Sequence, residues 1–246
     1  MPPPPMHGMP MSDAYVESGG IKSNFGFDSV SVRSAFIRKV FFLVLTVVTL
    51  MTAIPFMHRD TMTFIRTTPS LYYISYVTFL IVYLTLMCCE GVRRSFPVNL
   101  IATGILTLSI GYMTMMITSF HNVVSVLLCL IITAVCCVGI IIFASQTKYD
   151  LTSMMGFMFI ASMVLLVFGI VAVIAAVAFH VSWLYTVYAG LAALLFMVYL
   201  AIDIQMIMGG KKFEISPEEH IFAAIQIFID IVYIFWMLLT IFGSNK

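Results

Sequence analysis

Residues 199–242 read YLAIDIQMIMGGKKFEISPEEHIFAAIQIFIDIVYIFWMLLTIF, and this segment decides the fold. It joins the end of one long apolar stretch to the whole of the next through a short polar connection. Each of the two stretches carries a single formally charged side chain, Asp203 in the first and Asp230 in the second. A carboxylate near the centre of a bilayer costs about 2.5–3.5 kcal/mol on insertion scales, so two of them on neighbouring helices suggest a proton or cation site.

Apolar stretches of the same kind fill most of the remaining chain. They predict seven spans, at approximately 40–57, 71–89, 98–120, 123–144, 154–179, 181–208 and 217–242. Apolar residues make up 62% of the chain and charged residues 9%, whereas about 25% of the residues of a soluble domain are charged. The sequence therefore predicts an all-α polytopic membrane protein with a seven-transmembrane-helix bundle. A re-entrant last stretch, which would leave an even number of spans, stays open at this point.

The N-terminal residues 1–35 differ from the rest. Five of the nine prolines lie in the first ten residues, and Gly, Ser and Asp follow. Such a segment buries too little apolar surface to fold alone, so we predict a disordered arm at 1–35 and a membrane domain at 36–246.

The distribution of basic residues predicts the orientation. With the N-terminus in the cytosol and seven spans, nine basic residues fall on the cytosolic side and three on the other. The cytosolic nine are Lys22, Arg33, Arg38, Lys39, Arg93, Arg94, Lys148, Lys211 and Lys212, against Arg59, Arg66 and Lys246. This asymmetry agrees with the positive-inside rule.

The connection between the last two stretches carries helix-end signals. Gly209-Gly210 is typical of a helix C-terminus. Ser216-Pro217-Glu218-Glu219 is typical of a helix start, with Ser216 as the N-cap, Pro217 at the first helical position and Glu219 at N3. The last helix is therefore predicted to begin near Pro217.

Helix geometry alone does not force the two aspartates together. Counting from Gly209 back to Asp203 and from Pro217 on to Asp230, their depths differ by about 10 Å at the rise of an α-helix. Tilt, or a last helix that begins outside the membrane, would close the gap. A pair in contact would share one proton and would respond to pH, and its deprotonated form is a hard oxygen site suited to Ca²⁺.

Other side chains could support this site. Gln226, Asp230 and Tyr233 follow one face of the last helix, and Tyr199 precedes Asp203 by one turn. Arg93 and Arg94 close the second stretch at the predicted cytosolic side. One of the two could act as a latch that pairs with Asp203, while positive-inside anchoring explains the other.

The sequence argues against several functional classes. Intramembrane aspartyl proteases require Tyr-Asp and Gly-x-Gly-Asp, but here the residues are Ala201-Ile202-Asp203 and Phe228-Ile229-Asp230. The histidines His121, His180 and His220 lie at the edges of the spans, so none is placed within the apolar stretches to bind a catalytic zinc ion. The basic residues do not form a nucleic-acid-binding patch. We expect neither enzyme activity, nor a resident cofactor, nor a nucleic-acid partner.

Several motifs together resemble one family. They are the segments 38–41 (RKVF), 88–99 (CCEGVRRSFPVN), 111–114 (GYMT), 146–152 (QTKYDLT), 199–203 (YLAID), 215–219 (ISPEE) and 230–235 (DIVYIF). Over about 33–243 the chain resembles the Bax-inhibitor-motif family, and within it the Lifeguard, or glutamate-receptor-associated, branch.

The resemblance implies a bundle with the seventh helix central and a pH-sensitive Ca²⁺ leak across intracellular membranes that suppresses cell death. It matches Asp203 and Asp230 to the family's aspartate pair, and Arg93 or Arg94 to its helix 2 arginine. The expected partners are Ca²⁺, H⁺ and the lipid bilayer, and the expected compartment is the endoplasmic reticulum, Golgi or endolysosomal membrane. Two alternatives stay open: a non-conducting regulator that binds death-pathway membrane proteins, and a Ca²⁺/H⁺ exchanger.

Overall fold

A computed structural model describes residues 42–215 and 219–243 of the chain, and these residues form helices and no strand. The α-helices are α1 (Phe42–Met57), α2 (Arg59–Thr67), α3 (Pro69–Cys88), α4 (Glu90–Arg94), α5 (Val98–Ser119), α6 (Val123–Gln146), α7 (Met155–Ala178), α8 (Ser182–Met208) and α9 (His220–Phe242). A 3-10 helix at Leu151–Met154 leads into α7. The all-helical class that the sequence predicts is confirmed.

Six of these helices, α3 and α5 to α9, are long and apolar enough to cross a membrane. A seventh span is added if α1 and α2, which meet at 106°, are counted as one bent unit. The predicted arm at residues 1–35 lies outside the described residues.

Prolines and residues with positive φ mark four of the helix ends. Pro69 occupies the first turn of α3, and Pro97 immediately precedes α5. α7 ends just before His180, which has a φ of 57°. Gly209 and Gly210, with φ of 73° and 75°, end α8 as the sequence predicts, because glycine adopts this region without steric cost.

Two local features differ from the sequence expectations. The segment after the first stretch forms the short helix α2, and Glu90–Arg94 form a separate helix after a break at Cys89. The last α-helix is described from His220 onward, and the predicted start at Ser216 and Pro217 lies outside the described residues. The Glu219 side chain makes no capping hydrogen bond because its carboxylate binds arginine.

Helix α9 forms the centre of the bundle. About two thirds of it (67%) is buried, whereas the corresponding share of α3 and of α7 is 11%. It packs against α5, α6 and α8, while α3 packs on α5 and α7 packs on α8. The main core combines side chains of α9 with those of α1, α3, α5 and α6, including Phe228, Val232 and Leu239 of α9. This burial explains why α9 can keep an aspartate away from lipid.

Candidate ion pathway

Asp203 and Asp230 meet between α8 and α9. Their carboxyl groups lie within hydrogen-bonding range of each other, and each residue is about 95% buried, with 5% and 6% of its surface exposed. Two carboxyl groups at this separation form a hydrogen bond only when one of them holds a proton, so the charge of each depends on the other. The pair lies five residues from the end of α8 but ten residues from the start of α9. Because the two residues meet, α9 reaches about 7 Å further past the pair at this end of the bundle than α8 does.

One oxygen of the pair lacks a partner. Asp230 Oδ2 is buried and accepts no hydrogen bond from the described residues. A buried acceptor without a donor is costly, and a proton or a cation would satisfy it. Two carboxyl groups supply only part of the six to eight oxygen ligands that Ca²⁺ prefers, and the described residues contain no group of three or more Asp, Glu, His or Cys placed to hold a metal ion. The pair therefore suits transient contact with a passing ion.

Tyr83 of α3 adds a hydroxyl group that the sequence reasoning missed. It donates a hydrogen bond to Gln226 Oε1 at 3.1 Å, one turn before Asp230 on α9. The hydroxyl also lies within electrostatic range of Asp203 and Asp230. The spacing of Phe79, Tyr83 and Leu86 along one helical face could have indicated that Tyr83 points inward.

The two other predicted supporting residues have different neighbours. The Tyr199 hydroxyl lies 2.6 Å from Ser162 Oγ and donates to the Met158 carbonyl at 3.2 Å, so it faces α7. The Tyr233 ring stacks on Phe196 with a centroid distance of 4.6 Å. Of the predicted polar face, Gln226 alone joins a hydrogen bond beside the aspartates, and Tyr233 forms part of an aromatic layer.

This aromatic layer is fixed to α5. Trp236 packs edge-on against Tyr233 at 5.2 Å, and its indole Nε1 donates to Thr114 Oγ1 at 3.1 Å. Thr114 lies on α5 and is 1% exposed. The hydrogen bond fixes the rotation of α9 relative to α5.

Arg93 and Arg94 converge on Glu219 at the start of α9. Glu219 Oε1 accepts hydrogen bonds from Arg93 Nη2 at 2.8 Å and from Arg94 Nε and Nη2 at 3.0 and 2.8 Å. The Glu90 carboxylate lies 3.9 Å from each guanidinium group. The Arg93 guanidinium also lies over the Phe222 ring, 4.9 Å from its centroid. These contacts, which we call the arginine clamp, tie α4 to α9.

The charges of the clamp set the ionisation of its acid. Burial by itself would raise the pKa of Glu219, but the hydrogen bonds and charges of Arg94 and Arg93 outweigh that effect and lower the pKa. Glu219 therefore stays ionised at neutral pH.

The predicted latch between an arginine and Asp203 is not made in this structure. The ion pairs of the described residues join Arg93 and Arg94 to Glu219 and Glu90, and Asp203 lies against Asp230. The reason is depth, because Glu219 lies eleven residues before Asp230, or about 16 Å along a helix. A latch on Asp203 in another conformation stays a prediction.

A second polar network holds the loops at the same end of the bundle. Buried Gln205, two residues after Asp203, accepts from the Leu151 amide at 2.8 Å and donates to the Tyr149 carbonyl at 2.9 Å. Hydrogen bonds from the Thr152 hydroxyl and the Lys212 amide lower the pKa of Asp150. Because Gln205 is uncharged, charge counting could not identify this network.

Comparison with known proteins decides the family. The family model described as "Inhibitor of apoptosis-promoting Bax1" matches residues 33–246. The chain belongs to this Bax inhibitor family. The family resemblance stated from the motifs is confirmed, as is the absence of enzyme activity, since Bax inhibitor family members are non-enzymatic membrane proteins.

Individual relatives in the Bax inhibitor family carry the Lifeguard name. The chain is 39% identical to Protein lifeguard 3 of Mus musculus over 253 residues, which cover 99% of this chain and 82% of the relative. The Homo sapiens protein of the same name is also 39% identical, over 100% of this chain and 82% of its own length. Protein lifeguard 4 of Mus musculus is 29% identical over 86% of this chain and 85% of the relative.

Proposed function

We propose that this protein is a pH-sensitive Ca²⁺ leak channel of intracellular membranes that contributes to Ca²⁺ homeostasis and suppresses apoptosis. The observation that carries the proposal is the contact between Asp203 and Asp230, two buried carboxyl groups between α8 and α9. Buried acids in a membrane bundle that pair with each other are typical of proton and ion pathways. The description of the family as an apoptosis inhibitor supports the role in cell death.

Gating follows from the shared proton. A proton held by the pair lowers its net negative charge, and its loss leaves two adjacent negative charges that attract a divalent cation. Asp230 Oδ2 has no hydrogen-bond donor among the described residues, so it is the oxygen that a proton or a cation would satisfy in these states. A guanidinium that left Glu219 for Asp203 would compete with the cation for the same oxygens.

The compartment and orientation belong to the same proposal. We place the N-terminus in the cytosol, and the protein in the endoplasmic reticulum, Golgi or endolysosomal membrane. The charge distribution between the two ends of the bundle supports the orientation.

The first test measures Ca²⁺ flux into proteoliposomes that contain the purified chain, from pH 5 to pH 8. We expect flux that changes with pH in the wild type, and a pH response that is lost or displaced in Asp203→Asn and Asp230→Asn. Asp60→Asn, which removes an acid outside the predicted spans, is the matched control and should behave as wild type. Absence of flux above that of empty liposomes, with folded and inserted protein, would exclude the channel.

A non-conducting regulator is the second candidate. The outward faces of α7 expose large apolar side chains, including Phe157, Phe159 and Ile160, that could contact the helices of death-pathway membrane proteins as well as lipid. In that case the double variant Asp203→Asn/Asp230→Asn would still protect cells from apoptotic stimuli. Loss of protection together with loss of flux would favour the channel. A proton flux coupled in fixed ratio to Ca²⁺ flux would instead indicate an exchanger.

A further inference from the structure

A cavity of about 450 Å³ opens at the end of the bundle opposite the arginine clamp. It lies where α3 and α8 begin and where α5 and α9 end, so four helices contribute a terminal turn to its wall. Helix ends of a membrane protein lie where hydrocarbon gives way to lipid headgroups. Its volume falls within the range of small-molecule sites, about 300–1,000 Å³.

Aromatic side chains dominate the wall of this cavity. Tyr72 and Tyr73 of α3, Phe120 after α5 and Tyr185 of α8 line it together with His121. The rings of Tyr72 and Tyr73 are 5.8 Å apart and nearly perpendicular, at 79°. No lining residue is an acid. An aromatic wall without carboxylates favours a quaternary ammonium group, which has no N–H donors to satisfy and binds to ring faces.

A positive charge lies beside the aromatic wall. The Arg66 guanidinium of α2 is 5.3 Å from the centroid of the Phe120 ring, and its Nη2 donates to the carbonyl oxygen of Ser119. Arg66 Nε is buried and donates to none of the described residues. A bare cation in the cavity would be repelled by this charge, whereas a ligand that also carries a phosphate would be attracted, since guanidinium groups bind phosphate well.

We propose that this cavity binds the phosphocholine headgroup of a membrane phospholipid, with the trimethylammonium group among the rings of Tyr72, Tyr73 and Tyr185 and the phosphate toward Arg66. The position of the cavity at the helix ends makes a membrane lipid the natural source of this headgroup, because its acyl chains can continue along the exposed apolar faces of α3. The site lies at the other end of α9 from the arginine clamp. Lipid binding there does not require that the protein conduct ions.

The test uses the full chain in a maltoside detergent that lacks choline. Diheptanoyl-phosphatidylcholine, diheptanoyl-phosphatidylglycerol and choline chloride are each titrated below micelle-forming concentration, and bound molecules are counted by native mass spectrometry. We expect saturable binding of one phosphatidylcholine, and weaker binding of the other two probes. Because each ring contributes a modest cation–π energy, Tyr73→Leu and Tyr185→Leu should each weaken phosphatidylcholine binding about fivefold.

Two further variants make the result specific. Tyr76→Leu changes a partly exposed tyrosine one turn further along α3, outside the cavity, and should leave binding unchanged. Arg66→Gln should weaken phosphatidylcholine binding without weakening choline binding. Equal binding of the two phospholipids, equal losses in Tyr73→Leu and Tyr76→Leu, or choline binding as tight as that of the lipid would each overturn the proposal.

Discussion

Asp203 and Asp230 are not equivalent, although both are buried and lie against each other. Only Asp230 has a buried oxygen without a hydrogen-bond partner among the described residues. It also lies on the most buried of the candidate spans, with the Gln226–Tyr83 hydrogen bond one turn away. We therefore regard Asp230 as the residue whose charge most depends on a proton or cation.

Glu219 is an acid of a different kind, because it is held by two arginines at the surface of the bundle. Its lowered pKa means that the stabilisation from the clamp is fully present above the ordinary pKa of a glutamate, about 4.3, and is lost as the pH falls through the lowered value. The clamp should therefore stay intact throughout the range from pH 5 to pH 8. A pH response within that range must come from other groups.

The variant Glu219→Gln tests the role of the clamp. The variant should lower the free energy of unfolding in detergent by about 1–2 kcal/mol, since it weakens charge-assisted hydrogen bonds to two arginines. It should alter the amplitude of Ca²⁺ flux but not the pH at which flux is half-maximal. Glu90→Gln, which changes an acid that is 67% exposed, is the control and should leave stability and flux unchanged. A displaced pH midpoint in Glu219→Gln would contradict the separation of clamp and pH sensor.

At the scale of elements, α8 carries both Asp203 and Gln205, and Gln205 holds the loop between α6 and α7. Gln205 is 1% exposed and uses both ends of its amide to hold the backbone at Tyr149 and Leu151. The same loop reaches the connection after α8 through Asp150, whose Oδ2 accepts from the Lys212 amide at 3.0 Å. Movement of α8 near Asp203 would therefore be transmitted to this surface.

We expect Gln205→Leu to release the loop between α6 and α7. The substitution leaves the Leu151 amide without its partner, at a cost of about 1–3 kcal/mol for an unsatisfied buried group. It also removes one of two donors to the Tyr149 carbonyl, which keeps only Lys211 Nζ at 3.3 Å. Limited trypsin digestion at Lys148 should accelerate about tenfold, because cleavage follows the population of the open loop. Gln146→Leu changes an exposed glutamine two residues before Lys148, and this variant should be cleaved at the wild-type rate. Equal rates for the two variants would show that Gln205 does not hold the loop.

At the scale of the whole molecule, the charged groups are divided between the two ends of the bundle. One end carries Arg93, Arg94, Lys148, Lys211 and Lys212, together with the acids Glu90, Asp150, Glu214 and Glu219. The other end carries Arg66 beside Phe120. His121 lies close to Gly243 at the same end. Such a division is expected of a protein that inserts with its basic end in the cytosol.

The orientation can be tested with single cysteines in a cysteine-free background. In sealed microsomes, a membrane-impermeant maleimide should label Lys148→Cys, and should label Asn122→Cys only after the membrane is permeabilised. The reverse pattern would invert the orientation and place the arginine clamp on the luminal side. Labelling of both positions in sealed vesicles would contradict the predicted crossing by α6.

The sequence by itself determined the helical class and several helix ends. Length and apolarity decide whether a segment can span hydrocarbon, and Pro69, Pro97 and Gly209-Gly210 act on their own backbone, so these features need no tertiary information. It also singled out Asp203 and Asp230, because a charge inside an apolar stretch is visible without any structure.

Only the tertiary structure decided which side chains meet. Distances across helices depend on tilt, rotation and relative height, which helix periodicity leaves free. Packing therefore decided that Asp203 meets Asp230 and that the two arginines bind Glu219 and not Asp203. It also decided that Tyr83 reaches Gln226. The aromatic cavity has the same origin, because residues from four separate helices become neighbours only when the helix ends align at one surface of the bundle.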